Sequence, residues 1–84
     1  MDSWFQLFVR GINPEADSPQ AMKRVDDTLT GRIPAAFVAP DGLPIRTRAG
    51  LFEVRVFQRD ALSFARTILT QHHDLEIVEE IKND

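Results

Sequence analysis

The fold class is decided by one stretch of sequence, Trp4-Phe5-Gln6-Leu7-Phe8-Val9-Arg10. Aromatic and β-branched residues dominate this stretch, which is typical of a β-strand. Successive side chains of a strand point to opposite faces of its sheet. The odd positions are uniformly apolar and are predicted to face the core, whereas the mixed even positions are predicted to face outward.

Three further stretches are predicted to be strands. Residues 51–58 alternate in the same way, with Phe52, Val54 and Val56 predicted to face the core. Residues 35–39 form a short apolar strand, followed by a turn signal at Pro40-Asp41-Gly42. Residues 75–81 mix glutamates with apolar residues, which indicates a sheet edge. We expect residues 82–84 to be a frayed tail.

Two helices are predicted between these strands. The first covers residues 19–30, because Ser18 can cap a helix, Pro19 fits a first turn and Gly31 favours a left-handed stop. Its core-facing residues are Met22, Val25 and Leu29. The second helix begins after a predicted cap at Asp60 and ends at His72-His73-Asp74. Its buried stripe is Leu62, Ala65, Ile68 and Leu69, with Phe64 beside it.

The element order is strand, helix, strand, strand, helix, strand. This order predicts an α+β fold, the ferredoxin-like βαββαβ arrangement, with a four-stranded antiparallel sheet and both helices on one face. Right-handed crossovers place the first and third strands in the centre of the sheet. We expect residues 1–84 to form a single domain. The sequence leaves open whether residues 43–50 form a loop or an extra strand.

Composition limits the class of protein. The chain has 84 residues and no cysteine, which favours a reducing cytoplasm and excludes thiolate metal sites. No signal peptide or membrane-spanning run is visible, and no cofactor is predicted. The basic residues are mostly arginine, which fits a bacterial or phage coding sequence.

Charge is unevenly spread over a chain whose net charge is −3. Residues 43–66 hold five arginines against two acids, and residues 67–84 hold one lysine against five acids. The acidic total argues against general nucleic-acid binding. The segregation predicts a dipolar molecule whose association with a partner weakens as salt is added.

The sheet face opposite the helices is the candidate partner-binding surface. An exposed apolar patch on a small protein usually marks an interface. The candidate residues are Trp4, Phe8, Arg10, Leu51, Arg55 and Phe57. We expect a small non-enzymatic protein-interaction module, a regulatory, inhibitory or accessory protein. It would dock on a larger partner or associate with itself.

The alternative is a domain that binds single-stranded nucleic acid. The stretch Leu7-Phe8-Val9-Arg10-Gly11-Ile12 resembles the first-strand signature of the RNA-recognition motif, which implies that Phe8 stacks on a base. Arg10, Arg55 and Phe57 would complete that site. The third strand departs from the motif, since Gly50 is displaced and Glu53 would repel a phosphate.

Other motifs give weaker signals. No serine lies in a nucleophile-elbow pattern, and the adjacent acids Asp26-Asp27 and Glu79-Glu80 point apart, so we do not expect an enzyme. His72-His73-Asp74 is interpreted as structural rather than metal-binding. The segment 11–18 is predicted to be a plain connecting loop. A small-ligand regulatory site in that loop is the third hypothesis.

Overall fold

A computed structural model describes residues 3–40 and 43–84 of the chain. Within these ranges four antiparallel strands form one sheet in the order β2-β3-β1-β4. The strands are β1 (Trp4–Gly11), β2 (Ala36–Ala39), β3 (Phe52–Val56) and β4 (Leu75–Asn83). The α+β class is confirmed, and the element order fits the ferredoxin-like arrangement. The two outermost N-terminal residues and positions 41 and 42 of the predicted turn lie outside the described residues.

Helix α1 (Pro19–Arg32) begins where the sequence predicts. The Ser18 hydroxyl accepts a hydrogen bond from the Ala21 N–H at 3.1 Å and so caps the helix. The predicted stop at Gly31 is wrong. The Ile33 N–H still donates to the Leu29 carbonyl at 2.6 Å, so the helical hydrogen-bond pattern continues past the glycine.

The second helix changes its winding along its length. It opens with a 3-10 turn (Arg59–Ala61), continues as α2 (Leu62–Thr67) and closes with a π-helical stretch (Ile68–His72). The predicted cap at Asp60 is wrong, because Asp60 lies inside the opening turn and no side chain caps it. The turn precedes the helix and already supplies its first backbone hydrogen bonds, including the one from the Leu62 N–H to the Arg59 carbonyl.

The core lies between the helices and one face of the sheet. The inward strand residues and the apolar stripes of both helices form a single buried cluster. This confirms the predicted core residues Phe5, Leu7, Val9, Phe52, Val54, Val56, Met22, Val25, Leu29, Leu62, Ala65, Ile68 and Leu69. No helix in the described part of the chain covers the other face of the sheet.

The end of β4 differs from its prediction, and residues 43–50 adopt one of the two structures that the sequence left open. Strand β4 continues through Lys82 and Asn83, which pair with Phe5 and Trp4, so the predicted fraying there is wrong. Residues 43–50 contain no strand in their described structure. These residues form a loop that Arg46 attaches to the rest of the protein. Its guanidinium donates hydrogen bonds to the Asp17 and Gly50 carbonyls and lies 4.4 Å from the centre of the Phe52 ring.

Candidate interaction surface

The open face is the side of the sheet that the helices leave uncovered. On β1 it carries the even positions, because the odd positions point into the core. Residues paired across strands share a face, so the strand register identifies the other members. The open face therefore bears Trp4, Gln6, Phe8, Arg10, Phe37, Ala39, Leu51, Glu53, Arg55, Phe57, Glu76, Glu79, Ile81 and Asn83.

Three aromatic side chains form a stacked row across one end of the open face. The ring of Phe57 stacks on that of Trp4, with centres 5.2 Å apart, and on that of Phe37, with centres 5.6 Å apart. The Arg55 guanidinium lies 5.8 Å from the centre of the Trp4 ring. Trp4 and Phe37 are half-buried, whereas Phe57 is 40% exposed. We call Trp4, Phe37 and Phe57 the aromatic row.

A polar network lies beside the aromatic row in the middle of the sheet. The Asn83 amide donates to the Gln6 side chain at 3.1 Å, and the Gln6 amide donates to the Glu53 carboxylate at 2.9 Å. Arg55 donates to the same carboxylate at 2.8 Å. We call Gln6, Glu53, Arg55 and Asn83 the polar network. Its members satisfy one another's hydrogen bonds within the protein, which lets them lie beside the aromatic row.

Glu53 is charged at neutral pH despite its partial burial. Burial raises the pKa of its carboxyl, but the hydrogen bonds from Arg55 and Gln6 outweigh that effect and lower the pKa below its usual value. The Arg55 charge is thus matched by a carboxylate of the same face. The centre of the open face carries no net charge from this pair.

The opposite end of the open face is more polar. Arg10 forms an ion pair with Glu76 at 2.8 Å, and both side chains are at least half exposed. Phe8 lies between Glu53 and Glu79 in the strand register. Leu51 lies just before β3 begins. The ion pair with Glu76 already neutralises the charge of Arg10.

The six predicted partner-binding residues do not form one cluster. Trp4, Arg55 and Phe57 come together at the aromatic row, whereas Arg10 and Leu51 lie at the other end of the face. The sequence interpretation missed Phe37, Ile81 and the polar network. Alternation along residues 35–39 would have found Phe37, because Ala36 and Val38 are its buried neighbours. Nothing in the local sequence predicts the cross-strand contacts of the network.

A cleft of about 220 Å³ lies at the other side of the molecule, between the loop at 11–18, α1 and the turn before β4. Its charged and ionisable lining residues are Glu15, Arg24, His72, His73 and Asp74. The Nε2 atom of His73 is buried without a hydrogen-bond partner among the described residues. Burial, then the charges of His72 and Arg24, lower the pKa of His73.

The cleft does not assemble a metal-binding set. Over residues 3–40 and 43–84 no group of three or more His, Cys, Asp or Glu side chains has a geometry that could hold a metal ion. The three residues of the His72-His73-Asp74 motif all line the cleft, yet adjacent side chains diverge and do not converge on one point.

No helix in the described part of the chain is both long and apolar enough to cross a membrane. No protein-family model, no curated protein and no solved structure matches the chain.

Proposed function

We propose that this chain is a small non-enzymatic protein-interaction module that docks through its open face. The observation that carries the proposal is the aromatic row, which joins β1, β2 and the residue directly after β3 on the sheet face that no described helix covers. Large aromatic side chains and arginine dominate the binding energy of protein interfaces, especially when they are rigidly held near apolar neighbours. Trp4, Phe57 and Arg55 meet that description.

The charges of the open face favour a protein partner over a nucleic acid. Both arginines of this face are paired with glutamates, Arg10 with Glu76 and Arg55 with Glu53. Glu79 adds a further negative charge beside Phe8. Single-stranded nucleic acid needs cations that neutralise its phosphates as well as aromatic rings that stack on its bases. The face offers the rings, but its arginines already have partners. Nucleic acid remains the alternative occupant.

The proposal assigns no reaction to the chain, because the feature that carries it is the aromatic row and not a set of reactive side chains. The docking role that fits such a module is regulatory, inhibitory or accessory to a larger protein.

A position-specific photo-crosslinking experiment tests the proposal. The photoreactive analogue benzoylphenylalanine replaces Phe57 in one variant and Phe64 in the other, inside cells that express the protein. Phe64 is a matched control, since it is 47% exposed but lies on α2, away from the open face. Protein adducts should form at position 57 and be absent at position 64.

The other outcomes decide against the proposal. Nuclease-sensitive adducts at position 57 would favour the nucleic-acid alternative. Equal adducts at both positions would show that the open face has no special role, and absence of adducts at both would show that it binds no protein.

A further inference from the structure

We infer that His73 is a pH-sensitive switch at the junction between the second helix and β4, and that protonation of its ring destabilises this junction. His73 lines the cleft on the side of the molecule away from the open face. The switch is therefore independent of the docking role proposed above. The position of the ring nitrogen Nε2 and the charges around the ring carry the inference.

The junction is a short turn that is bonded to the end of β1. His73 directly follows the π-helical stretch, and Asp74 comes next with a φ of 50°. The Asp74 carbonyl accepts the Ile12 N–H at 2.9 Å, and Leu75 begins β4 opposite Gly11. The backbone on both sides of His73 is thus held in place, which limits how far its ring can move to find a new partner.

A protonated His73 ring would carry an N–H group that nothing accepts. A neutral imidazole has one N–H donor and one acceptor nitrogen, whereas the imidazolium ion has two donors. The Nε2 atom of His73 is buried and has no hydrogen-bond partner among the described residues. Burial of an unpaired donor is unfavourable, and more so when the group is charged. The native junction therefore favours the neutral ring.

Most of the charges around the ring also oppose a further positive charge. The ionisable residues that line the cleft beside His73 are Glu15 in the loop after β1, Arg24 on α1, and His72 and Asp74 on either side of the ring. Burial lowers the pKa of His73 most, the charges of His72 and Arg24 lower it further, and Asp74 opposes them. The folded protein thus takes up this proton less readily than the unfolded chain.

The direction of the pH dependence follows from this difference. A histidine whose folded pKa lies below its unfolded value of about 6.5 binds fewer protons in the folded state. The stability is therefore highest above about pH 6.5 and falls as the pH is lowered towards the folded pKa. Between about pH 7.5 and about pH 5.5, the unfolding equilibrium constant should rise by up to about tenfold.

Few other groups of the chain titrate in this range. The sequence has two histidines and no cysteine, so His72, His73 and the α-amino group are the groups whose ordinary pKa lies in or near it. The paired carboxylates Asp17 and Glu53 have lowered pKa values and stay charged throughout. A change in stability between these two pH values therefore reports mainly on the histidines.

Urea unfolding of the purified protein at the two pH values tests the switch. The natural protein should be less stable at the lower pH. His73→Gln removes the titrating ring and should abolish the rise in the unfolding constant. The matched control His72→Gln removes an exposed neighbour and should keep most of that rise. A rise that persists in His73→Gln, or that both variants lose equally, would overturn the switch, as would equal stability of the natural protein at both pH values.

Two measurements on the natural protein do not depend on a folded variant. Titration of the His73 ring by NMR should give a pKa below the ordinary value of about 6.5. The Ile12 amide, which bonds to the junction, should lose protection against hydrogen exchange as the pH is lowered over the same range, after correction for the intrinsic exchange rate. A pKa at or above the ordinary value, or unchanged protection of Ile12, would contradict the proposal.

Discussion

Gly11, where β1 enters the following loop, is tightly constrained by the backbone around it. The Asp17 carboxylate accepts the Gly11 N–H at 3.1 Å and the Arg46 guanidinium at 3.2 Å, which brings two loops together. The Gly11 hydrogen bond, followed by Arg46, outweighs the opposing effect of burial and lowers the pKa of Asp17. A Cβ on Gly11 would overlap the backbone of Ala16 and Asp17. Only glycine fits this close approach.

Replacing Gly11 with alanine should therefore destabilise the fold. The obstructing atoms belong to the backbone, so the loop must move, at a cost of about 1–3 kcal/mol in the free energy of unfolding. The control is Gly31→Ala, where a Cβ would enter open space. Because Gly31 lies in a helix, alanine there should raise stability by about 0.5–1 kcal/mol. Urea unfolding measures both, and similar effects at the two glycines would refute this explanation.

Strand β4 extends two residues beyond its expected end. Its last residues pair with the beginning of β1, and Asn83 also donates to Gln6 of the polar network. A β-bulge between the Glu79 and Ile77 pairings shifts the register and leaves Val78 48% exposed. The end of β4 thus supports the open face next to Trp4.

Deleting residues 82–84 tests this role of the β4 end. Loss of these pairings should lower the free energy of unfolding by about 1–3 kcal/mol, since each net hydrogen bond contributes about 0.5–1.5 kcal/mol. Trp4 is the only tryptophan, so its fluorescence reports directly on the deleted neighbours, and its emission should shift to the red. A frayed tail would instead leave both the stability and the emission spectrum unchanged.

The strands whose apolar residues alternate regularly could be located from sequence, but the residues at which elements end could not. Strands β1 and β3 were predicted from alternating core residues such as Leu7 and Val54, because burial imposes the period. Lys82 and Asn83 belong to β4 only because β1 begins opposite them, which local sequence does not encode. Gly31 was predicted to end α1, but helical hydrogen bonding continues past it.

The candidate site was only partly predictable for a similar reason. Alternation alone places Trp4, Phe8 and Arg55 on the open face. The clustering of the aromatic row requires knowing which strands are neighbours and how they are aligned. The ion pairs that neutralise the arginines join residues far apart in the chain, such as Arg10 and Glu76. The sequence interpretation therefore overestimated the unpaired positive charge on the open face.

At the scale of the whole molecule, these ion pairs weaken the expected charge separation. Three of the five arginines in the segment 43–66 bind carboxylates: Arg46 binds Asp17, Arg55 binds Glu53 and Arg66 binds Glu80. On the acidic C-terminal segment, Glu76 and Glu80 are paired with arginines. Of these pairs only Arg66–Glu80 joins the two segments, so it reduces the charge separation between them slightly, whereas the pairs Arg10–Glu76 and Arg55–Glu53 neutralise the arginines of the open face.

Association through the open face should therefore depend little on salt. The Debye length falls from about 10 Å at 0.1 M to about 3 Å at 1 M salt, which would weaken any contact held by long-range charge. The aromatic row is apolar, and the arginines of this face are already paired within the chain. We expect the dissociation constant of the complex with the protein that crosslinks at position 57 to change less than about threefold over that range of salt.

The purified protein should also fail to shift single-stranded oligonucleotides at about 0.1 M salt and tens of micromolar protein. Oligonucleotide binding that Phe8→Ala abolishes and salt weakens steeply would instead favour the nucleic-acid alternative, because each phosphate contact releases counterions.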